Sequence, residues 1–174
     1  MATPRLVLIG PPGSGKTTVA KRIATLMDIP HRDTDDDVAR TAGKSIADIF
    51  VDDGEPAFRA MEREAVAAAL AEHHGVLSLG GGAILDPGTQ RLLEKYTATG
   101  GDVIFLDVSL NAAAPRVGLN AARPLLMGNP RQQWRELMAA RRDIYERLAT
   151  RIVNTDALTP KAVSAAIVEG GDGS

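Results

Sequence analysis

Gly10-Pro11-Pro12-Gly13-Ser14-Gly15-Lys16-Thr17 stands almost at the beginning of this 174-residue chain. It satisfies the phosphate-loop pattern of Gly, four spacers, Gly, Lys, then Ser or Thr. Glycines allow backbone with positive φ and bring N–H groups against phosphate oxygens. Lys16 offers a point charge to the β- and γ-phosphates, and the Thr17 hydroxyl is a hard oxygen ligand for Mg²⁺. On the N-terminal side, Leu6–Ile9 is a short apolar run that reads as a buried strand. On the other side, Thr17–Met27 reads as a helix, with Val19, Ile23 and Leu26 at helical spacing. A strand, a Gly-rich loop and a helix in this order aim a helix N-terminus at an anion. The pattern implies binding of a nucleoside triphosphate, with Gly13, Ser14, Gly15, Lys16, Thr17 and Thr18 as its contacts.

Further strand-like runs fall at Val76–Leu79, Val103–Val108 and Arg151–Val153, with a short one around Pro30–Arg32. Helical patterns separate them at Ser45–Phe50, Pro56–His73, Asp86–Tyr96, Pro130–Ala149 and Pro160–Glu169. Such alternation predicts an α/β fold, a parallel sheet covered by helices on both faces, with ligands at the carboxyl ends of the strands. Residues 1–174 are expected to form one domain. Two stretches, His31–Lys44 and Asn111–Asn129, are predicted as long functional loops.

Composition narrows the partners. A formal charge of −2 argues against nucleic acid or an anionic membrane as the main partner. No cysteine is present, so disulfides and thiolate metal sites are excluded. The Leu6–Ile9 run is too short for a signal peptide, and no stretch approaches the ~20 apolar residues of a membrane span. A cytoplasmic protein is the expectation. Aromatic residues are scarce, which makes an Arg plane a better partner for adenine than a ring.

Asp33-Thr34-Asp35-Asp36-Asp37 follows the presumed second strand. Carboxylates this close repel one another unless a cation sits nearby. Strand alternation would send Asp33 and Asp35 to one side. One could position Mg²⁺ through water and the other accept a hydroxyl proton. The alternative is an acidic turn opening a helix, the reading kept for Asp36 and Asp37. Gly80-Gly81-Gly82 closes a buried strand, where it serves either close backbone approach to a ligand or a sharp turn. Trp134, Leu137, Met138, Ile144, Tyr145 and Leu148 form one apolar stripe with Arg141 at its centre, while Arg135, Arg142 and Arg147 fall on the polar side. A guanidinium in mid-stripe calls for an anion, either a ligand or an internal Asp or Glu. Arg59 lies one turn before Glu62, which can orient it. Ser45 with Asp48 reads as a helix cap. Arg116 and Arg123 flank a stretch that suggests a basic lid able to exclude water and reach a transferring phosphoryl group. The three histidines lack metal-ligand spacing and read as surface or loop residues.

Taken together, Gly10–Thr17, Asp33-Thr34-Asp35, Ser45–Phe50, Gly54-Glu55 leading to Phe58-Arg59, Leu77–Ala83, Arg123–Leu126 and Arg141 before Tyr145 resemble shikimate kinase over nearly the whole chain. The resemblance implies a three-layer α/β/α P-loop NTPase fold of the nucleoside-monophosphate-kinase type. It would have a five-stranded parallel sheet, a substrate-binding segment at about residues 33–62 and a mobile lid at about 112–125. It further implies a monomeric enzyme that transfers the γ-phosphoryl of ATP, with Mg²⁺, to the 3-hydroxyl of shikimate. Lys16, Asp35 and Arg123 would be its catalytic groups. Arg59 and Arg141 would hold the shikimate carboxylate, and Gly80, Gly81 and Gly82 would line the substrate. Thr17 would ligate Mg²⁺ and Asp33 reach it through water, while Arg116 would lie near adenine. Three departures stand out. Asn154–Leu158 offers no Arg after the last strand, Pro115 falls where relatives run a helix into the lid, and Asp36-Asp37 adds charge beside the substrate segment. Two other readings remain: a related small-molecule kinase such as a gluconate kinase, and a non-catalytic regulator using ATP as a switch. The pairing of Asp33 and Asp35 with Arg59 and Arg141 argues against the regulator.

Overall fold

The structure, a computed structural model, describes residues 3–117 and 129–171. Five strands, β1 (Leu6–Ile9), β2 (His31–Asp33), β3 (Val76–Ser78), β4 (Val103–Asp107) and β5 (Arg151–Asn154), form one parallel sheet in the order β2-β3-β1-β4-β5. β1 is central, so the phosphate loop leaves the middle of the sheet. Period-2 alternation divides the strands between two cores. Leu6, Leu8, Val76, Ile104 and Leu106 face α1 (Lys16–Met27) and α8 (Pro160–Gly171), meeting Ile23, Val163 and Ile167. Val7, Ile9, Leu77, Leu79, Val103 and Phe105 face the other way. They pack on α4 (Glu55–Glu72), α5 (Pro87–Ala98), α6 (Leu110–Arg116) and α7 (Pro130–Leu148). This is the three-layer α/β/α arrangement the alternation predicts. Among the described residues no helix is long and apolar enough to cross a membrane.

The stretch predicted as a loop from His31 to Lys44 is instead β2 followed directly by α2 (Thr34–Ala42). Asp33 is the N-cap and its side chain accepts from the Asp35 amide at 2.9 Å. Asp35, Asp36 and Asp37 occupy the first turn, where carboxylates favour the helix dipole, and Gly43 ends the helix at φ 71°. Asp37 does more than start the helix: it is buried and accepts from Arg32 at 2.6 Å and from Arg40. Residues of α2 pack on α3 (Ile46–Asp52) and α4 through Val38, Ile49 and Phe58, a small third core under the expected substrate segment. Ser45 caps α3, accepting from the Asp48 amide at 3.1 Å. α6 fills the start of the second predicted loop and holds Pro115 in its last turn, ending one residue later. The rest of the predicted lid, Arg123 included, lies outside the described residues. His73, read as a surface or loop residue, is buried with Nε2 3.0 Å from the Val76 carbonyl oxygen.

Candidate active site

The phosphate loop is set by its glycines and by the start of α1. Gly13 and Gly15 sit at φ 84° and 86°, a region other residues enter only with strain. Gly13 also approaches α6 so closely that a Cβ there would lie 2.9 Å from that of Ala113. Lys16 donates from Nζ to the carbonyls of Gly10 at 2.6 Å and Pro11 at 3.2 Å. Burial lowers its pKa to about 8, against the opposing pull of Asp35 and Asp33. Thr17 Oγ1 donates to Asp33 Oδ2 at 3.3 Å, so a hydroxyl and a carboxylate stand side by side at the head of α1. Arg116 donates to the Gly13 carbonyl at 2.9 Å and reaches Thr155 Oγ1 at 3.5 Å. A cleft of about 560 Å³ opens over the loop. It runs from Asp33, Asp35 and Gly81 at one end to Arg116, Thr155, Leu158, Pro160 and Val163 at the other.

Opposite the loop, side chains from three helices converge over the glycine triplet. Thr34 Oγ1 accepts from the Gly80 amide at 3.1 Å, tying the triplet to the first turn of α2. A Cβ at Gly80 would lie 2.6 Å from Asp35 Oδ1 and 3.0 Å from Glu62 Oε2. One at Gly82 would lie 2.7 Å from Arg59 Nη1, and one at Gly81 3.4 Å from Arg141 Nη1. The triplet is therefore the floor on which a carboxylate and two guanidiniums meet. Burial, with Asp33 and Glu62 nearby, raises Asp35 to about 6. Glu62 is buried on α4 and accepts from Arg59 Nη1 at 2.8 Å, orienting that guanidinium as the spacing predicts. Burial raises the Glu62 pKa, opposed by Arg59 and Arg141.

Arg141 is half-buried on α7, whose neighbouring Trp134, Met138, Tyr145 and Leu148 are buried. Among the described residues it closes no salt bridge, so the internal ion pair allowed by its mid-stripe position does not occupy it there. Arg142, expected on the polar side, makes two bonds to Asp107 at 3.0 and 3.1 Å and fixes α7 to the end of β4.

A family model described as shikimate kinase matches residues 12–170. The chain belongs to the shikimate kinase family. It is 53% identical to a shikimate kinase of Streptomyces avermitilis, covering 97% of this chain and 96% of that one. It is 52% identical to one of Saccharopolyspora erythraea, covering 96% and 93%. Among solved structures, it resembles the shikimate kinase of Acinetobacter baumannii in complex with shikimate, with a TM-score of 0.85 and 29% identity over 97% of this chain and 92% of that one.

Within this kinase-family fold, Gly13–Thr18, Asp33, Asp35, Gly81 and Arg116 line one cleft, and Arg59, Gly80, Gly82 and Arg141 adjoin it. Sequence reasoning missed four residues at the far end of the cleft, Thr155, Leu158, Pro160 and Val163. Their one signal is position: they follow the last strand and open α8. It also missed the contacts of α7 with the two loops. Trp134 Nε1 donates to the Pro12 carbonyl at 3.1 Å, and the Tyr145 hydroxyl donates to the Gly81 carbonyl at 2.6 Å.

Proposed function

We propose that this chain is a shikimate kinase that transfers the γ-phosphoryl of ATP to the 3-hydroxyl of shikimate, giving ADP and shikimate 3-phosphate. One observation carries the reading. Asp35, Arg59 and Arg141 converge over Gly80–Gly82 beside a phosphate loop, a layout suited to an acceptor bearing a hydroxyl and a carboxylate. Arg59 and Arg141 hold the substrate carboxylate in charge-assisted bonds. That grip turns the hydroxyl toward the mouth of the phosphate loop, beside Asp35. The hydroxyl oxygen attacks the γ-phosphorus in line, the bond to the β-phosphate oxygen breaks, and Asp35 takes the hydroxyl proton. Its raised pKa keeps it basic enough for that transfer at neutral pH. Lys16 leaves the Gly10 and Pro11 carbonyls to meet the phosphates, and Arg116 flanks the nucleoside end.

The hard oxygens of Thr17 and Asp33 fit Mg²⁺. Among the described residues no group of three His, Cys, Asp or Glu could cage a metal, in keeping with an ion held mainly by phosphate and water. Mg²⁺, when bound, neutralises phosphate charge. Arg123 is the lid cation of this reading, and the enzyme works as a cytoplasmic monomer. A coupled assay of ADP release with ATP and either shikimate or gluconate tests the proposal. Turnover of shikimate alone is expected, and turnover of gluconate alone would overturn it.

A further inference from the structure

Helix α7 touches both halves of the site through side chains that donate to backbone. Trp134 meets the Pro12 carbonyl of the phosphate loop, and about three turns later Tyr145 meets the Gly81 carbonyl of the triplet. Between them lies Arg141, its Nη1 3.4 Å from where a Gly81 Cβ would stand. The Pro12 ring is also 3.4 Å from that point, so the two loops abut beneath the helix. The helix itself is held firmly. The Tyr145 ring stacks on Phe105 of β4 at 4.9 Å and 20°, and Arg142 grips Asp107 at the end of the same strand. Trp134 and Tyr145 are 7% and 0% exposed. Their rings serve the core, but core packing needs neither the indole N–H nor the phenol O–H. Both donors are spent on loop carbonyls outside the sheet ladder.

We propose that Trp134 and Tyr145 are positioning residues that set the gap between phosphoryl donor and acceptor, with α7 as the rigid spacer. The inference rests on the phosphoryl-transfer reading above. In-line transfer depends steeply on that gap, because a displacement near 1 Å can cost roughly 100-fold in rate. One loop carries the donor and the other lines the acceptor, and a single helix holds each by one directed bond.

Tyr145→Phe keeps the ring and removes one donor, together with the oxygen that also partners Arg141, while Trp134→Phe removes the other donor and exchanges the indole for a smaller ring. Kinetics with ATP and shikimate are compared with the parent enzyme, alongside the thermal midpoint. About a tenfold loss in kcat is expected in each. The KM for ATP should rise only in Trp134→Phe, and that for shikimate only in Tyr145→Phe. The double variant should lose less than the product of the two, since both bonds act on one distance. A kcat within twofold of the parent, with or without a lowered midpoint, reduces the bonds to packing and overturns the proposal. If one variant fails to fold, the other decides. A parent that turns over no shikimate would instead sink the functional reading on which the proposal rests.

Discussion

The two halves of the site are built in opposite ways. The donor half is almost one continuous stretch, residues 10–18, whose backbone conformation does most of the work. The acceptor half gathers Asp35 from α2, Arg59 and Glu62 from α4 and Arg141 from α7 around a bare glycine floor. A contiguous loop tolerates change elsewhere in the fold. A floor assembled from distant side chains depends on how three helices seat against one sheet. In the proposed reading, nucleotide binding resides in the loop and the choice of acceptor in tertiary packing.

One substitution should separate the halves outright. Asp35→Asn should cut kcat by roughly 10²- to 10⁴-fold by removing the proton acceptor, while calorimetry shows ATP binding nearly unchanged. Retained turnover would end the assignment. The same variant has a stability signature. Asp35 carries a folded pKa of about 6, above the ordinary carboxylate value, so its ionisation disfavours the fold as pH rises past that ordinary value. At pH 8 the neutral Asn should raise the thermal midpoint.

Arg141→Ala comes next. Losing a charge-assisted contact should cost about 1.5–3 kcal/mol, or roughly 10- to 150-fold in the KM for shikimate. The KM for ATP should stay close to the parent value. Equal losses for both substrates would blur the division between the halves.

The smallest effect is one of pH. Below about pH 6 Asp35 is protonated and cannot accept a proton. The profile of kcat/KM for shikimate should fall about tenfold per unit below that value. An acid limb that persists unchanged in Arg141→Ala ties it to Asp35, whereas a flat acid limb in the parent enzyme would remove Asp35 as the base.

Much of this was legible in the sequence, for identifiable reasons. β1 and α1 follow from a local pattern, and their bounds fall within a residue of the reading. Arg141 was legible because a charge in an apolar stripe breaks the period that frames it. For Asp33 and Asp35 the sequence pattern points to the wrong local geometry. They do not alternate along a strand: Asp33 ends β2 and caps α2, and Asp35 sits in its first turn. The run of carboxylates disguised a helix start as a polar loop. Trp134 and Tyr145 read as core because hydrophobic period records where a ring goes and says nothing of where its N–H or O–H points. The wall of Thr155, Leu158, Pro160 and Val163 carries no motif, since shape complementarity leaves little trace in residue order.

That wall has a consequence for the choice of donor. Beyond Arg116 and Thr155, the far end of the cleft is apolar among the described residues, with Leu158, Pro160 and Val163 and no arginine after β5. Apolar surfaces feel the thickness and flatness of a purine, whereas only hydrogen-bonding groups tell an amino edge from a keto edge. Exchanging ATP for guanosine triphosphate in the coupled assay measures how far this wall tells one purine from another.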